Sequence, residues 1–162
     1  MSESAQTAKG RATALADSAE PSRTARSSDA VIAYTILRLS FGANIMLHGV
    51  SRLIAGRAGF LAYLNHYFEH AAYMPKAFLT AFGTVLPPVE AAVGLLVLLG
   101  LATRISLIAG GLVMLALVIG TNLAQDWNVA GLQLIYCFLY YYLLAHRREL
   151  NALSVDGWLR RG

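Results

Sequence analysis

The chain sets four long apolar stretches between short polar interruptions, and the interruptions are too few for a protein surrounded by water. Residues 30–49 carry one charge, Arg38, and between Lys76 and Arg104 the only charge is Glu90. Residues 105–125 and 127–146 carry none. A helix rises about 1.5 Å per residue, so about 20 residues cross a hydrocarbon core. Each stretch is long enough. In lipid only helices or closed barrels satisfy every backbone donor and acceptor, and strand alternation is absent. The pattern predicts an all-α integral membrane protein, a four-transmembrane-helix antiparallel bundle over residues 30–147.

The flanks and the first link have a different texture. In residues 59–70, Phe60, Leu61, Leu64, Tyr67 and Phe68 share one helical face, while Asn65, His66, Glu69 and His70 fall largely elsewhere. That predicts an outer amphipathic helix between helices 1 and 2, lying on the membrane surface and roofing the bundle. Residues 1–29 contain no Val, Ile, Phe, Tyr or Trp. They bury too little to offset the entropy of ordering, which predicts a disordered cytoplasmic tail. They also lack the apolar run of a cleavable signal peptide. Residues 148–162 read as a short cytoplasmic C-terminal tail.

Charge sharpens this picture. Only 14% of the 162 residues are charged, against about 25% in an ordinary soluble domain. Of the 22 charged residues, 14 lie in residues 1–30 and 147–162. With the N-terminus inside, nine basic residues fall on the cytoplasmic side and three (Arg52, Arg57 and Lys76) on the other. This excess predicts a multi-pass protein of the inner (plasma) membrane with both termini cytoplasmic. The net charge of +4 sits at the ends of apolar segments, as anchors to lipid headgroups rather than a nucleic-acid footprint. Trp127 at the outer mouth and Tyr140, Tyr141 and Tyr142 near the inner end suit the two aromatic belts. The single cysteine, Cys137, excludes an internal disulfide framework and a cysteine-rich metal site, and its apolar setting reads as packing.

Ionisable groups inside lipid cost at least about 2.5 kcal/mol, so Arg38 and Glu90 stand out. Counted from the inner ends of their helices, they lie roughly 12 and 16 Å deep. They are expected to pair between adjacent helices, either as a structural ion pair or as a proton or substrate site. Pro87 and Pro88 leave the carbonyls of Gly83 and Thr84 without donors, so helix 2 should kink beside Glu90. Asn44, His48 and Arg52 stack on one face of helix 1. His48 could hydrogen-bond a quinone carbonyl, exchange protons or bind metal. His66 and His70 would join it at a metal only if the amphipathic helix folded over the bundle; an exposed, solvated pair is the ordinary reading. A His48–His146 haem is excluded, because His146 lies at the opposite membrane face. Asn122, Gln125, Asp126 and Trp127 gather at the outer mouth, with Gln133 deeper, where interhelical hydrogen bonding is the ordinary reading. Gly94, Gly110, Gly111, Gly120 and Gly131 allow close helix approach.

Arg38-Leu-Ser-Phe-Gly42, Leu47-His-Gly-Val-Ser-Arg-Leu53, Leu86-Pro-Pro-Val-Glu90 and Gly94-Leu-Leu-Val-Leu-Leu-Gly-Leu-Ala-Thr-Arg104 follow one another in this order. Gly120 and Trp127-Asn-Val-Ala-Gly-Leu-Gln133 come after them. Together, over residues 30–146, they resemble the DoxX-like membrane proteins. The resemblance implies a four-helix bundle related to the quinone-reducing subunit of thiosulfate:quinone oxidoreductase. The family's recurrent arginine, its His-Gly-x-x-basic turn and its glutamate fall on Arg38, on His48, Gly49 and Arg52, and on Glu90. The sequence carries no paired haem histidines, cysteine cluster or dinucleotide fingerprint, and indicates no haem, flavin or metal. Quinone is the economical redox partner. The expectation is therefore a small membrane subunit of a quinone-linked oxidoreductase, holding quinone between helices 1 and 2. Glu90 and His48 would handle protons and hydrogen bonds; Arg38, Asn44, Arg52, Asn122, Trp127 and Gln133 would hold the ring. A redox protein would dock on the outer face, and self-association as a homo-oligomer stays open. The other readings are a non-catalytic anchor for a redox enzyme and a small-solute permease, which would have to oligomerise.

Overall fold

The structure, a computed structural model, describes residues 23–71 and 74–161, with side chains from residue 28. The described residues are helical with short turns: α1 (Arg23–Tyr67), α2 (Lys76–Leu99), α3 (Thr103–Leu123), α4 (Trp127–Leu150) and a short α5 (Val155–Leu159). The first four are long and apolar enough to cross a membrane. Large apolar side chains such as Ile54, Ile105, Leu112 and Phe138 face outward, the surface of a protein that contacts lipid.

α1 begins at Arg23, so residues 23–29, expected to be disordered, are helical. A helix already fixed by its apolar run extends cheaply, one hydrogen bond per residue ordered. Residues 1–22 lie outside the described residues. Nor does α1 stop near residue 49. It bends at Gly56 (φ 79°, ψ 155°), a conformation that suits glycine, and continues to Tyr67. Beyond the bend, Phe60 and Leu64 are buried in a small core with Leu86 of α2.

α1 packs most closely on α2. A Cβ added to Gly42 would strike the backbone of Leu98, and one on Gly94 the backbone of Met46. One on Gly49 would strike Pro87 and Ala91. Residue numbers rise along α1 as they fall along α2, and the two backbones touch. α2 stays helical through Pro87 and Pro88. The main core gathers Tyr34, Phe41 and Ile45 of α1, Val93 and Val97 of α2, Leu107 and Met114 of α3, and Tyr140 and Leu143 of α4. Tyr140 is thus not part of an aromatic belt. It is buried, edge-on to Phe41 with ring centroids 4.7 Å apart.

The Gly100 end of the molecule is closed by polar bonds. Arg38 is 2% exposed and donates to the carbonyls of Val97 (2.9 Å), Leu98 and Leu153 (2.8 Å). It supplies donors to the last carbonyls of α2, joining the Gly100 N–H on that of Val97. Asp156 of α5 accepts from the backbone N–H groups of Ala102 (2.9 Å) and Thr103 (2.7 Å), at the start of α3. Asn151 donates to the Thr103 hydroxyl at 3.0 Å. Residues 148–161, expected as a short tail, are therefore held in place: α4 runs on to Leu150, and the chain folds back so that Asp156 caps α3 and donates its N–H to the Gly100 carbonyl after α2.

Candidate functional site

Arg38 and Glu90 do not meet. The carboxylate of Glu90, 6% exposed on α2, is paired instead with Arg52 of α1. The reason is register. The glycine contacts place Leu98 beside Gly42 and Ala91 beside Gly49, so Glu90 lies level with the stretch leading to Arg52. The Arg52 side chain, 27% exposed, also lies over the Phe60 ring, 5.1 Å from its centroid. One cation thus answers a carboxylate and an aromatic face.

This ion pair forms part of the wall of a cavity of about 290 Å³. All four long helices contribute: Ile45, His48 and Arg52 from α1, Glu90 from α2, Met114 and Leu117 from α3, and Gln133 and Tyr136 among others from α4. The expected site lay between helices 1 and 2, whereas this cavity is lined by all four. At Gly42, Gly49 and Gly94, α1 and α2 touch backbone to backbone. The half-exposed or exposed lining residues, His48 of α1 and Val129, Leu132 and Tyr136 of α4, put the rim between α1 and α4.

A second cavity of about 180 Å³ adjoins the first and shares Arg52, Leu117, Val129 and Gln133 with it. Its wall is aromatic on one side (Phe60, Tyr63, Tyr67, Phe68 and Phe82) and polar on the other (Thr121, Asp126 and Gln133). The Thr121 hydroxyl donates to Gln133 Oε1 at 2.8 Å, and the Tyr67 hydroxyl to Asp126 Oδ2 at 2.8 Å. Asp126 Oδ1 accepts the Val129 N–H at 3.1 Å and so caps α4.

His48, Arg52, Glu90 and Gln133 therefore come together at one cavity. Asn44 joins at one remove, accepting the Tyr136 hydroxyl at 3.3 Å. Three expected residues lie elsewhere. Arg38 belongs to the Gly100 end. Asn122 is exposed and donates to the Val118 carbonyl of its own helix at 2.7 Å. Trp127 is 65% exposed and lines neither cavity. His66 and His70 are exposed beside Glu69, away from His48, which lines the first cavity. No group of three metal-ligating side chains occurs among the described residues. Sequence reasoning missed Tyr136 and Tyr67. The first follows Gln133 by three positions and so shares its helical face, a signal that was there to use. Tyr67 was placed on the apolar face by its ring, and nothing in the pattern reveals that its hydroxyl reaches Asp126.

The cavity offers a carboxylate neutralised by a guanidinium, an imidazole, an amide and a phenol, all set in an apolar wall. It suits a planar, mostly apolar ligand with a few hydrogen-bonding oxygens. No known family matches the chain, and no curated protein or solved structure matches it.

Proposed function

We propose that the chain is a DoxX-like, antiparallel four-helix protein of the plasma membrane that binds quinone as the membrane subunit of a quinone-linked oxidoreductase. In this reading both termini are cytoplasmic, and residues 57–67 form the amphipathic segment near the outer surface. The quinone ring occupies the larger cavity. Arg52 or His48 donates to one quinone oxygen, the Gln133 amide N–H to the other, and Glu90 passes on a proton. Reduction to quinol takes two electrons from a docked redox protein and two protons. The observation that carries the proposal is the Arg52–Glu90 pair, its carboxylate buried, in the wall of a mostly apolar cavity whose rim lies between two lipid-facing helices. A lipid-soluble ring can reach it from the side.

The test is binding. Protein purified from native membranes in mild detergent is extracted for quinone, then titrated with short-chain benzoquinone and naphthoquinone analogues. The expected result is a stoichiometric quinone and a dissociation constant weakened at least about tenfold by Glu90→Gln, the loss of one charged hydrogen-bonding partner. Absence of quinone, with no saturable binding of either analogue, overturns the proposal and leaves the anchor reading in its place.

A further inference from the structure

Glu90 is buried, and the rim of its cavity lies between helices that face lipid. Lipid delivers a quinone but not a proton, so a proton on Glu90 needs an aqueous path. We propose that the second cavity is the proton-uptake chamber of Glu90, with Asp126 as the carboxylate that takes protons from water. This rests on the reading that Glu90 exchanges protons, and goes beyond it by assigning a second site.

Placement and chemistry both support the assignment. Asp126 lies at the turn between α3 and α4, partly exposed, and lines the chamber. Its carboxylate is held by the Tyr67 hydroxyl and the Val129 N–H. At the other end the chamber shares Arg52 and Gln133 with the Glu90 cavity. The Thr121–Gln133 pair supplies further polar groups on the wall. A buried water needs room and two to four polar partners; about 180 Å³ and these side chains provide both for a short chain of waters. Arg52 is no carrier, since a guanidinium does not deprotonate in proteins. It holds the carboxylate while water passes beside it.

The groups facing Glu90 are Arg52 and His48 from α1, Tyr136 and Gln133 from α4, and Tyr140, also from α4 and within Coulombic reach. α3 offers Met114 and Leu117. Those facing Asp126 across the chamber are Tyr63 and Tyr67. The step is one proton transfer, from hydronium to the Asp126 carboxylate, through chamber water, to the Glu90 carboxylate. Asp126 is left ionised as before, and no electrons move.

Full-length protein in lipid nanodiscs is subjected to a downward pH jump, and the carbonyl stretch of protonated Glu90 is followed by infrared absorption. The band is assigned by its absence in Glu90→Gln. Asp126→Asn, which keeps the helix cap, is expected to slow its rise at least about tenfold without changing its final amplitude. Tyr67→Phe should slow it less. Ala116 lines the chamber but makes no hydrogen bond to either carboxylate; Ala116→Trp narrows the chamber and should slow it as Asp126→Asn does. Azide, a small weak acid, should restore the rate in Asp126→Asn. Unchanged rates in Asp126→Asn and Ala116→Trp, or slowing that azide does not relieve, overturn the proposal. A band that never rises in the unmodified protein overturns it together with proton exchange at Glu90. The quinone titration above is read separately. Bound quinone with unchanged Asp126→Asn kinetics removes the chamber alone, and slowed kinetics without quinone removes the quinone alone.

Discussion

Glu90 holds a charge where Arg52 is its partner, and the two ends of that pair are not equally exposed. Removing the arginine leaves a carboxylate buried and unanswered, whereas removing the carboxylate leaves a guanidinium that is part-exposed and still lies over the Phe60 ring. Arg52→Gln is therefore expected to cost about 3 kcal/mol in unfolding measurements, and Glu90→Gln clearly less. The double variant should recover part of the Arg52→Gln loss, because no uncompensated charge remains. An additive double variant would contradict the pairing. Arg38 makes a different kind of bond, reaching three carbonyls and no carboxylate. Lysine cannot reproduce its planar fork, so Arg38→Lys should lower stability by about 1–3 kcal/mol while leaving quinone binding unchanged. Glu90 and the His48–Arg52 face of helix 1 stand out in the sequence and do line one cavity, but Glu90 pairs with Arg52 and not with the expected Arg38. α2 ends level with Gly42 and the start of α1 runs past it, so depths measured from the two helix ends do not share an origin.

At the scale of elements, that register is written in three glycines. Gly42, Gly49 and Gly94 leave no space for a methyl group, and what they would strike is backbone, which cannot swing aside. Gly49→Ala and Gly94→Ala should each destabilise by about 1–3 kcal/mol and loosen the Arg52–Glu90 pair, since the helices must part. Gly131→Ala, with nothing within 4 Å, is the control and should be neutral by the same unfolding measurement. Of the glycines that stand out in the sequence, Gly94 and Gly110 do make close contacts (Gly110 with the Tyr140 ring), a methyl on Gly120 or Gly111 would meet only ordinary van der Waals contact, with Phe68 and Tyr140, and Gly131 is open. A glycine in an apolar run signals permission for close approach, not its occurrence. The four apolar segments were legible because lipid imposes length and polarity on each segment alone. The fold-back of α5 was not, because Asp156 caps α3 from a distant part of the chain. Asp156→Ala should cost about 1–2 kcal/mol, the usual loss when an N-cap acceptor is removed, and should speed protease cleavage at Arg160 and Arg161.

For the whole molecule, the proposed function gives the two adjoining cavities different surroundings and different tasks. One has its rim between lipid-facing α1 and α4, and the other runs toward the Asp126 turn. A site that exchanges both a lipid-soluble ring and protons needs these two approaches, and they must not be the same one. Leu132 and Leu134 on α4 allow the lateral approach to be tested with a matched pair. Both are 59% exposed, but only Leu132 lines the cavity. Leu132→Trp should narrow the rim and slow both association and dissociation of short-chain quinone at least about tenfold with little change in affinity, as expected when access rather than fit is impaired. Leu134→Trp places the same ring in lipid and should leave binding as it was. If both substitutions act alike, the ring does not arrive between α1 and α4, and the route into the cavity must run through the Asp126 chamber instead.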